Sequence, residues 1–184
     1  MANERSMNDQ FNNDWIIIDN ISITNISKIV KQGIKTTSSI SLDSKSSRGD
    51  NVKQYDLFEY LNNNPAIDKI KEKILLNLDR HLHLKLNNLK LLSAWTVLGY
   101  KNSYHTLHKH NKKQNHVSSV LYLNVQEEGI FYYVYKKNEE IEYGSHKPQV
   151  GDLIIFPVWL WHGAYPQSQG LRQTLNLDFE IQEQ

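Results

Sequence analysis

The sequence predicts a mainly β fold of the α+β kind, a β-sandwich or barrel with helices packed on one face. Three observations predict it. Beyond Leu91 the 184-residue chain breaks into short β-type runs at close intervals. Turn-forming pairs separate those runs. The one long stretch of helical periodicity lies ahead of all of them, so the helices are expected to cover the β unit.

In chain order, residues 1–13 are polar and lack the continuous apolar segment of a secretory signal. They are expected to form a flexible tail ahead of a single domain over 14–184. Trp15 to Ile18 is a short β-branched run and a first strand. Residues 20–50 are rich in Ser, Thr and Asn and read as loop, with 36–50 either a lid over a site or a connector. Val52 to Leu61 reads as a short helix, and Asn64-Pro65 supplies a cap and first position for a second. There Ile67, Ile70, Ile74, Leu78 and Leu82 recur at spacings of three and four, an apolar stripe for packing on a sheet. This helical part spans about 52–85 and the barrel about 91–181. The predicted strands are Ala94–Tyr100, Val117–Val125, Ile130–Tyr135, Glu140–Tyr143, Asp152–Phe156, Gly163–Tyr165 and Arg172–Ile181. Glu128-Gly129, Lys137-Asn138, Lys147-Pro148 and Gln169-Gly170 are the turns between them.

Composition narrows the chemistry. Cysteine is absent, which removes disulfides, thiolate metal sites and cysteine nucleophiles. A metal site would have to use carboxylates, water and the 8 histidines. Lys and Arg number 21 against 20 Asp and Glu, so no broad electrostatic surface for nucleic acid or membrane is implied. No stretch approaches the roughly 18 apolar residues of a spanning helix. A soluble, cytoplasmic protein is the expectation, and a homodimer is compatible with it.

Three segments carry possible chemistry. In Tyr104-His105-Thr106-Leu107-His108-Lys109-His110, side chains two apart on a strand share a face, so His108 and His110 can meet one ion. Surface histidine pairs are nonetheless common. The run Gly151-Asp152-Leu153-Ile154-Ile155-Phe156-Pro157 ends in proline, and His162 follows among tryptophans at what would be a barrel rim. It could close a metal site from the opposite side or be a packed core residue. Leu171 to Phe179 alternates, with the leucines and Phe179 on one face and Arg172, Thr174, Asn176 and Asp178 on the other. Arg172 offers a planar fork for a carboxylate, and Thr174 one more hydrogen bond. Arg172 could equally pair with Asp178.

Taken together, His108-Lys109-His110, His162 and Arg172-Gln173-Thr174 resemble the Fe(II)/2-oxoglutarate-dependent dioxygenases, whose pattern is His-x-Asp, a distal His and Arg-x-Ser about ten residues later. The surrounding text is similar to a small bacterial and phage subgroup with an HxH motif. Ser118-Ser119-Val120-Leu121-Tyr122-Leu123 and Gly151-Asp152-Leu153 to Phe156-Pro157 carry that likeness. The resemblance covers roughly 91–181 and implies a double-stranded β-helix, a jelly-roll or cupin-like barrel. It implies Fe(II) held by His108, His110 and His162, and no catalytic residue beyond these ligands. It further implies 2-oxoglutarate held by Arg172 and Thr174, with Tyr122 a second hydrogen bond. The reaction implied is oxidation by O2, hydroxylation by default, of a small-molecule or peptidyl substrate, with release of succinate and CO2.

One departure from the pattern matters. His110 stands where the family has a carboxylate, and no Asp or Glu lies between residues 104 and 126. Three neutral ligands leave the metal charge uncompensated until the co-substrate binds, which should weaken metal retention. Asp152, His116 and His105 are other candidates. Asp152 reads better as part of a turn, and an i, i+3 relation puts His105 on the face opposite His108. Two alternatives stay open: a cupin-like three-histidine metal enzyme without 2-oxoglutarate, and a non-catalytic β-barrel binding module. Trp95, Trp159, Trp161 and Tyr104 could line a substrate cavity. The cluster of Lys109, Lys112 and Lys113 fits an anionic substrate or simply a solvated loop.

Overall fold

The strand Arg172–Gln182 (β12) explains the architecture, because nearly all of its residues are buried on both faces. The computed structural model describes residues 14–40, 47–48, 51–83, 86–110, 113, 115–125, 129–137 and 140–182. The expected tail over 1–13 and most of the candidate lid lie outside the described residues. Two antiparallel sheets are formed. The larger runs β1-β10-β7-β12-β5-β4-β2 and the smaller β3-β6-β11-β8-β9. The strands are β1 (Ile17–Asn20), β2 (Ser39–Ile40), β3 (Ser47–Arg48), β4 (Val52–Asp56), β5 (Asn88–Gly99), β6 (Tyr104–His108), β7 (His116–Asn124), β8 (Phe131–Lys137), β9 (Glu140–His146), β10 (Asp152–Pro157), β11 (Trp161–Ala164) and β12. The eight consecutive strands from β5 to β12 divide evenly. β5, β7, β10 and β12 enter the larger sheet, and β6, β8, β9 and β11 the smaller, as in a double-sheet jelly roll.

Alternation along the strands of the larger sheet serves two cores. Leu175, Leu177, Phe179 and Ile181 of β12 join Leu121 of β7 and Leu153 and Ile155 of β10 in one apolar cluster. The helices α1 (Thr24–Thr36) and α3 (Pro65–Leu82) supply the other side of that cluster, through Ile26, Val30, Ile67, Ile70, Ile74 and Leu78. The predicted stripe is therefore the docking face of α3. Asn64 caps it, its side-chain oxygen accepting from the Ala66 amide at 3.1 Å, with Pro65 opening the first turn. The opposite set, Val120, Tyr122, Ile154 and Phe156, packs with Phe131 and Leu160 between the sheets.

Two expectations near the N-terminus need correction. Residues 24–36, read as loop, form α1, which buries Ile26, Val30 and Gly33. Its polar composition hides an apolar stripe, and Ile23 at its start makes no side-chain cap. Val52–Leu61, read as a helix, is strand β4 paired along β5, followed by only one helical turn, α2 (Phe58–Leu61). Sheet pairing decides that segment over its local preference. The seven strands predicted after Leu91 all form, β5 beginning earlier than expected. No helix among the described residues is long and apolar enough to cross a membrane.

An ion pair fixes α3 to the first strand. Asp19 of β1 accepts from Lys73 at 2.7 Å and from Asn77 at 2.8 Å. Partial burial pushes the Asp19 pKa up, but the hydrogen bonds from Lys73, Asn77 and the Asn20 amide outweigh it. The net effect is a fall from 3.8 to about 2. Since folding lowers this pKa, the pair stabilises the fold fully above about pH 4. That contribution fades as the pH drops toward 2. Asp19→Asn should cost on the order of 1 kcal/mol at neutral pH. Its deficit against the wild type should shrink between pH 4 and 2, as read by urea denaturation across that range. A deficit constant across the range would contradict the role given to this carboxylate.

Candidate metal and co-substrate site

Three histidines converge between the sheets. His162 in β11 and His108 in β6 are register partners across neighbouring strands. The Nδ1 of His162 donates to the Leu160 carbonyl at 2.9 Å and that of His108 to the Thr106 carbonyl at 2.8 Å. A carbonyl can only accept, so the proton sits on Nδ1 and the lone pair on Nε2 in both rings. His110 lies just past the end of β6. Its backbone N–H donates to the Val158 carbonyl at 2.8 Å, and its Nδ1 lies 3.1 Å from Asp178 Oδ1. All three rings thus spend one nitrogen on an oxygen acceptor and keep the other, the arrangement that orients metal-ligating histidines.

The three offered nitrogens lie within 4.8 Å of one another. Ring centroids are 4.4 Å apart for His108 and His162, 5.2 Å for His110 and His162, and 5.6 Å for His108 and His110. Burial, and then the neighbouring histidines, hold the His162 pKa well below its ordinary value. Burial and His110 lower that of His108, against a raising contribution from its bond to Thr106. The neutral imidazoles these effects favour are the form that binds a divalent metal. The donor set fits a first-row transition metal on chemical grounds.

The same cavity, of about 210 Å³, is lined on its other side by Arg172, Thr174 and Tyr122. Arg172 is 4% exposed and donates through Nη1 to the carbonyls of Tyr165 at 3.3 Å and Gly129 at 3.5 Å. Among the described residues no carboxylate pairs with it. A buried guanidinium whose acceptors among the described residues are carbonyls could take an anion, because removing its charge from water is costly without a counter-charge. Thr174 and Tyr122 are register partners on β12 and β7. The Thr174 Oγ1 accepts from Asn176 Nδ2 at 3.1 Å, which leaves its hydroxyl proton to donate. Burial raises the pKa of Tyr122, so its hydroxyl is a neutral donor.

The structure therefore places all six predicted site residues around one cavity, and it alters how several come to be there. His110 does not share a strand face with His108, because β6 ends at His108. Its convergence comes from the Val158 and Asp178 bonds. Arg172 does not pair with Asp178, which instead faces His110. His105, expected on the face opposite His108, lines the same cavity. On β6, three steps separate His105 from His108, while their partners Ala164 and His162 on β11 are two steps apart. The extra residue is a bulge that turns His105 inward. Its Nε2 is buried with no hydrogen-bond partner among the described residues. Burial, then the charges of Arg172 and His108, push its pKa down to about 3. Asp152 is committed elsewhere, to His146 at 2.7 Å and the Gln149 amide at 2.8 Å. His116 sits beside Glu180, outside the cavity lining. Trp95 lines the cavity, whereas Trp159, Trp161 and Tyr104 do not. Lys109 lies over the Trp161 ring, its Nζ 5.3 Å from the centroid. Lys112 lies outside the described residues.

No family model matches the sequence, and no curated protein does either. Solved structures do match. A Pseudomonas putida prolyl-4-hydroxylase is 14% identical with a TM-score of 0.64, over 95% of this chain and 96% of that one. An oxidoreductase of the 2OG-Fe(II) oxygenase family from Burkholderia pseudomallei is 10% identical at 0.66, over 98% and 92%. The viral collagen prolyl hydroxylase of Paramecium Bursaria Chlorella virus-1, solved with 2-oxoglutarate, is 16% identical at 0.61, over 91% and 97%. The chain has the double-stranded β-helix fold that these oxygenases share.

Gly163, next to His162, marks how tightly the wall is packed. A Cβ there would lie 2.5 Å from Cζ and Oη of Tyr132 and 2.8 Å from the His105 carbonyl. Tyr132 itself donates to that carbonyl at 3.2 Å. Gly163→Ala should destabilise the protein by about 1–3 kcal/mol in chemical denaturation, the usual cost of overpacking. A neutral substitution would show that the wall yields more readily than this packing implies.

Proposed function

We propose that the protein is a non-haem Fe(II)- and 2-oxoglutarate-dependent oxygenase that hydroxylates an as yet unidentified substrate. The observation that carries this reading is the pairing, in one cavity, of a three-histidine donor set with a buried arginine that meets no carboxylate among the described residues. His108, His110 and His162 would hold the metal through Nε2. Bound iron, with 2-oxoglutarate and O2, supplies the oxidising chemistry and yields succinate and CO2. The protein's own contribution is placement. Arg172 takes the distal carboxylate of the co-substrate, with Thr174 and Tyr122 donating one hydrogen bond each. Phe131 and Val120 line the same cavity and keep that part of it apolar. At about 210 Å³ the cavity falls below the roughly 300–1,000 Å³ of drug-sized sites. It suits a small co-substrate inside and the substrate's reacting group at the mouth.

The fold likeness to oxygenases supports this reading, and the spacing of His162 and Arg172 in the sequence supports it independently. The third histidine favours a second reading, a cupin-like metal enzyme that does not use 2-oxoglutarate. Arg172 weighs against it, since such an enzyme has no need of a buried anion anchor.

Anaerobic addition of Fe(II) and 2-oxoglutarate should produce a visible metal-to-ligand charge-transfer band, and admitting O2 should then release succinate. Bound iron without band or succinate would favour the cupin-like reading. His108→Ala and His162→Ala should each abolish the band. Arg172→Ala should keep iron but need about ten- to hundredfold more 2-oxoglutarate, the range expected for losing charge-assisted hydrogen bonds. An unchanged requirement would refute the anchor role.

A further inference from the structure

A fourth histidine, His105, lines the cavity that holds His108, His110 and His162. Each of those three rings is held by an Nδ1 contact with an oxygen. The His105 ring has no such bond among the described residues, and its Nε2 is buried without a partner. Its backbone, by contrast, is fixed. Ser47 of β3 and Ala164 of β11 are its register partners, and its carbonyl accepts from the Tyr132 hydroxyl at 3.2 Å. A rigid main chain thus carries a buried polar ring with nothing to bond, which is costly unless a guest in the cavity meets it.

The ring stands at the Arg172 end of the cavity. Tyr165, next to the partner residue Ala164, supplies one of the two carbonyls that Arg172 Nη1 reaches, at 3.3 Å. Nη1 spends its protons there and on Gly129 at 3.5 Å, which leaves the rest of the guanidinium to an anion. Burial and then the Arg172 charge keep the imidazole neutral, and a neutral imidazole carries one N–H to donate.

We propose that His105 is a co-substrate-binding residue, its imidazole N–H donating to the distal carboxylate of 2-oxoglutarate beside Arg172. This rests on the oxygenase reading above and adds a residue that lies outside the His108, His110, His162 and Arg172 pattern. The bulge in β6 makes the ring available, since a regular strand would turn it to the opposite face. The imidazole brings a donor without a second positive charge. A lysine or arginine at this place would repel Arg172 in the empty site.

The test compares two ligands on Fe(II)-loaded protein without oxygen, read by the charge-transfer band, with no turnover involved. 2-Oxobutyrate has the chelating end of 2-oxoglutarate and a hydrogen in place of its distal carboxylate. His105→Phe should weaken 2-oxoglutarate binding about 10- to 100-fold, the range for losing a hydrogen bond to a charged group. It should leave 2-oxobutyrate binding unchanged. Equal losses for the two ligands would mark a merely structural role and overturn the inference. His105→Gln keeps a side-chain N–H and should lose less than His105→Phe; an equal loss would also count against the donor role and overturn it. His105→Leu replaces the phenylalanine variant should that one aggregate, with the same expectation. Co(II) titration of each metal-free variant, followed by the cobalt d–d absorption, should match the wild type. A fall in Co(II) affinity would make His105 a metal ligand instead and overturn the inference. Wild-type protein that gives no band with 2-oxoglutarate would overturn the oxygenase reading and this one with it. A wild-type band that His105→Phe leaves at the same 2-oxoglutarate requirement would overturn this one alone.

Discussion

The structure depends on a strand, β12, that must be buried on both faces and present unlike surfaces to the two sides. Toward the helices it shows Leu175, Leu177, Phe179 and Ile181. Toward the cavity it shows Arg172, Thr174 and Asn176, with Asp178 on the same strand face against the His110 ring. A period of two makes this division possible, and the register with β5 and β7 makes it rigid. The helices α1 and α3 are needed for the same reason. Without them the apolar face of the sheet would meet water.

The polar face then sets what can enter. Arg172 and Asp178 are opposite charges on one strand, each buried, and neither neutralises the other. Each faces a partner outside the strand: Asp178 the ring of His110, Arg172 a cavity open to an anion. A buried guanidinium that meets no carboxylate among the described residues is costly to the apo protein. On the proposed reading, a divalent metal held by His108, His110 and His162 and a carboxylate held by Arg172 would supply the charges that this face lacks.

Much of this was legible in the sequence and some was not. The strands after Leu91 follow from alternation and turn residues. His162 with Arg172 ten residues on is visible because both ends of that interval lie on adjoining, regular segments. The helix α1 was hidden because Ser, Thr and Asn dominate a segment whose few apolar residues still fall on one face. β4 was misread because its strand state is imposed by β5, which arrives over thirty residues later. His105 could not be placed without the bulge in β6, which only the pairing with β11 reveals. The bond between His110 and Asp178 spans 68 residues. Sequence shows both groups but nothing that would join them.

The most direct measurement of the central claim is a crystal structure of the protein loaded with Mn(II) and 2-oxoglutarate, the metal located by anomalous scattering. The account predicts one Mn(II) on Nε2 of His108, His110 and His162, His110 still hydrogen-bonded to Asp178, and the distal carboxylate of 2-oxoglutarate against Arg172. Metal bound with His110 turned away, or 2-oxoglutarate seated anywhere but against Arg172, would contradict it.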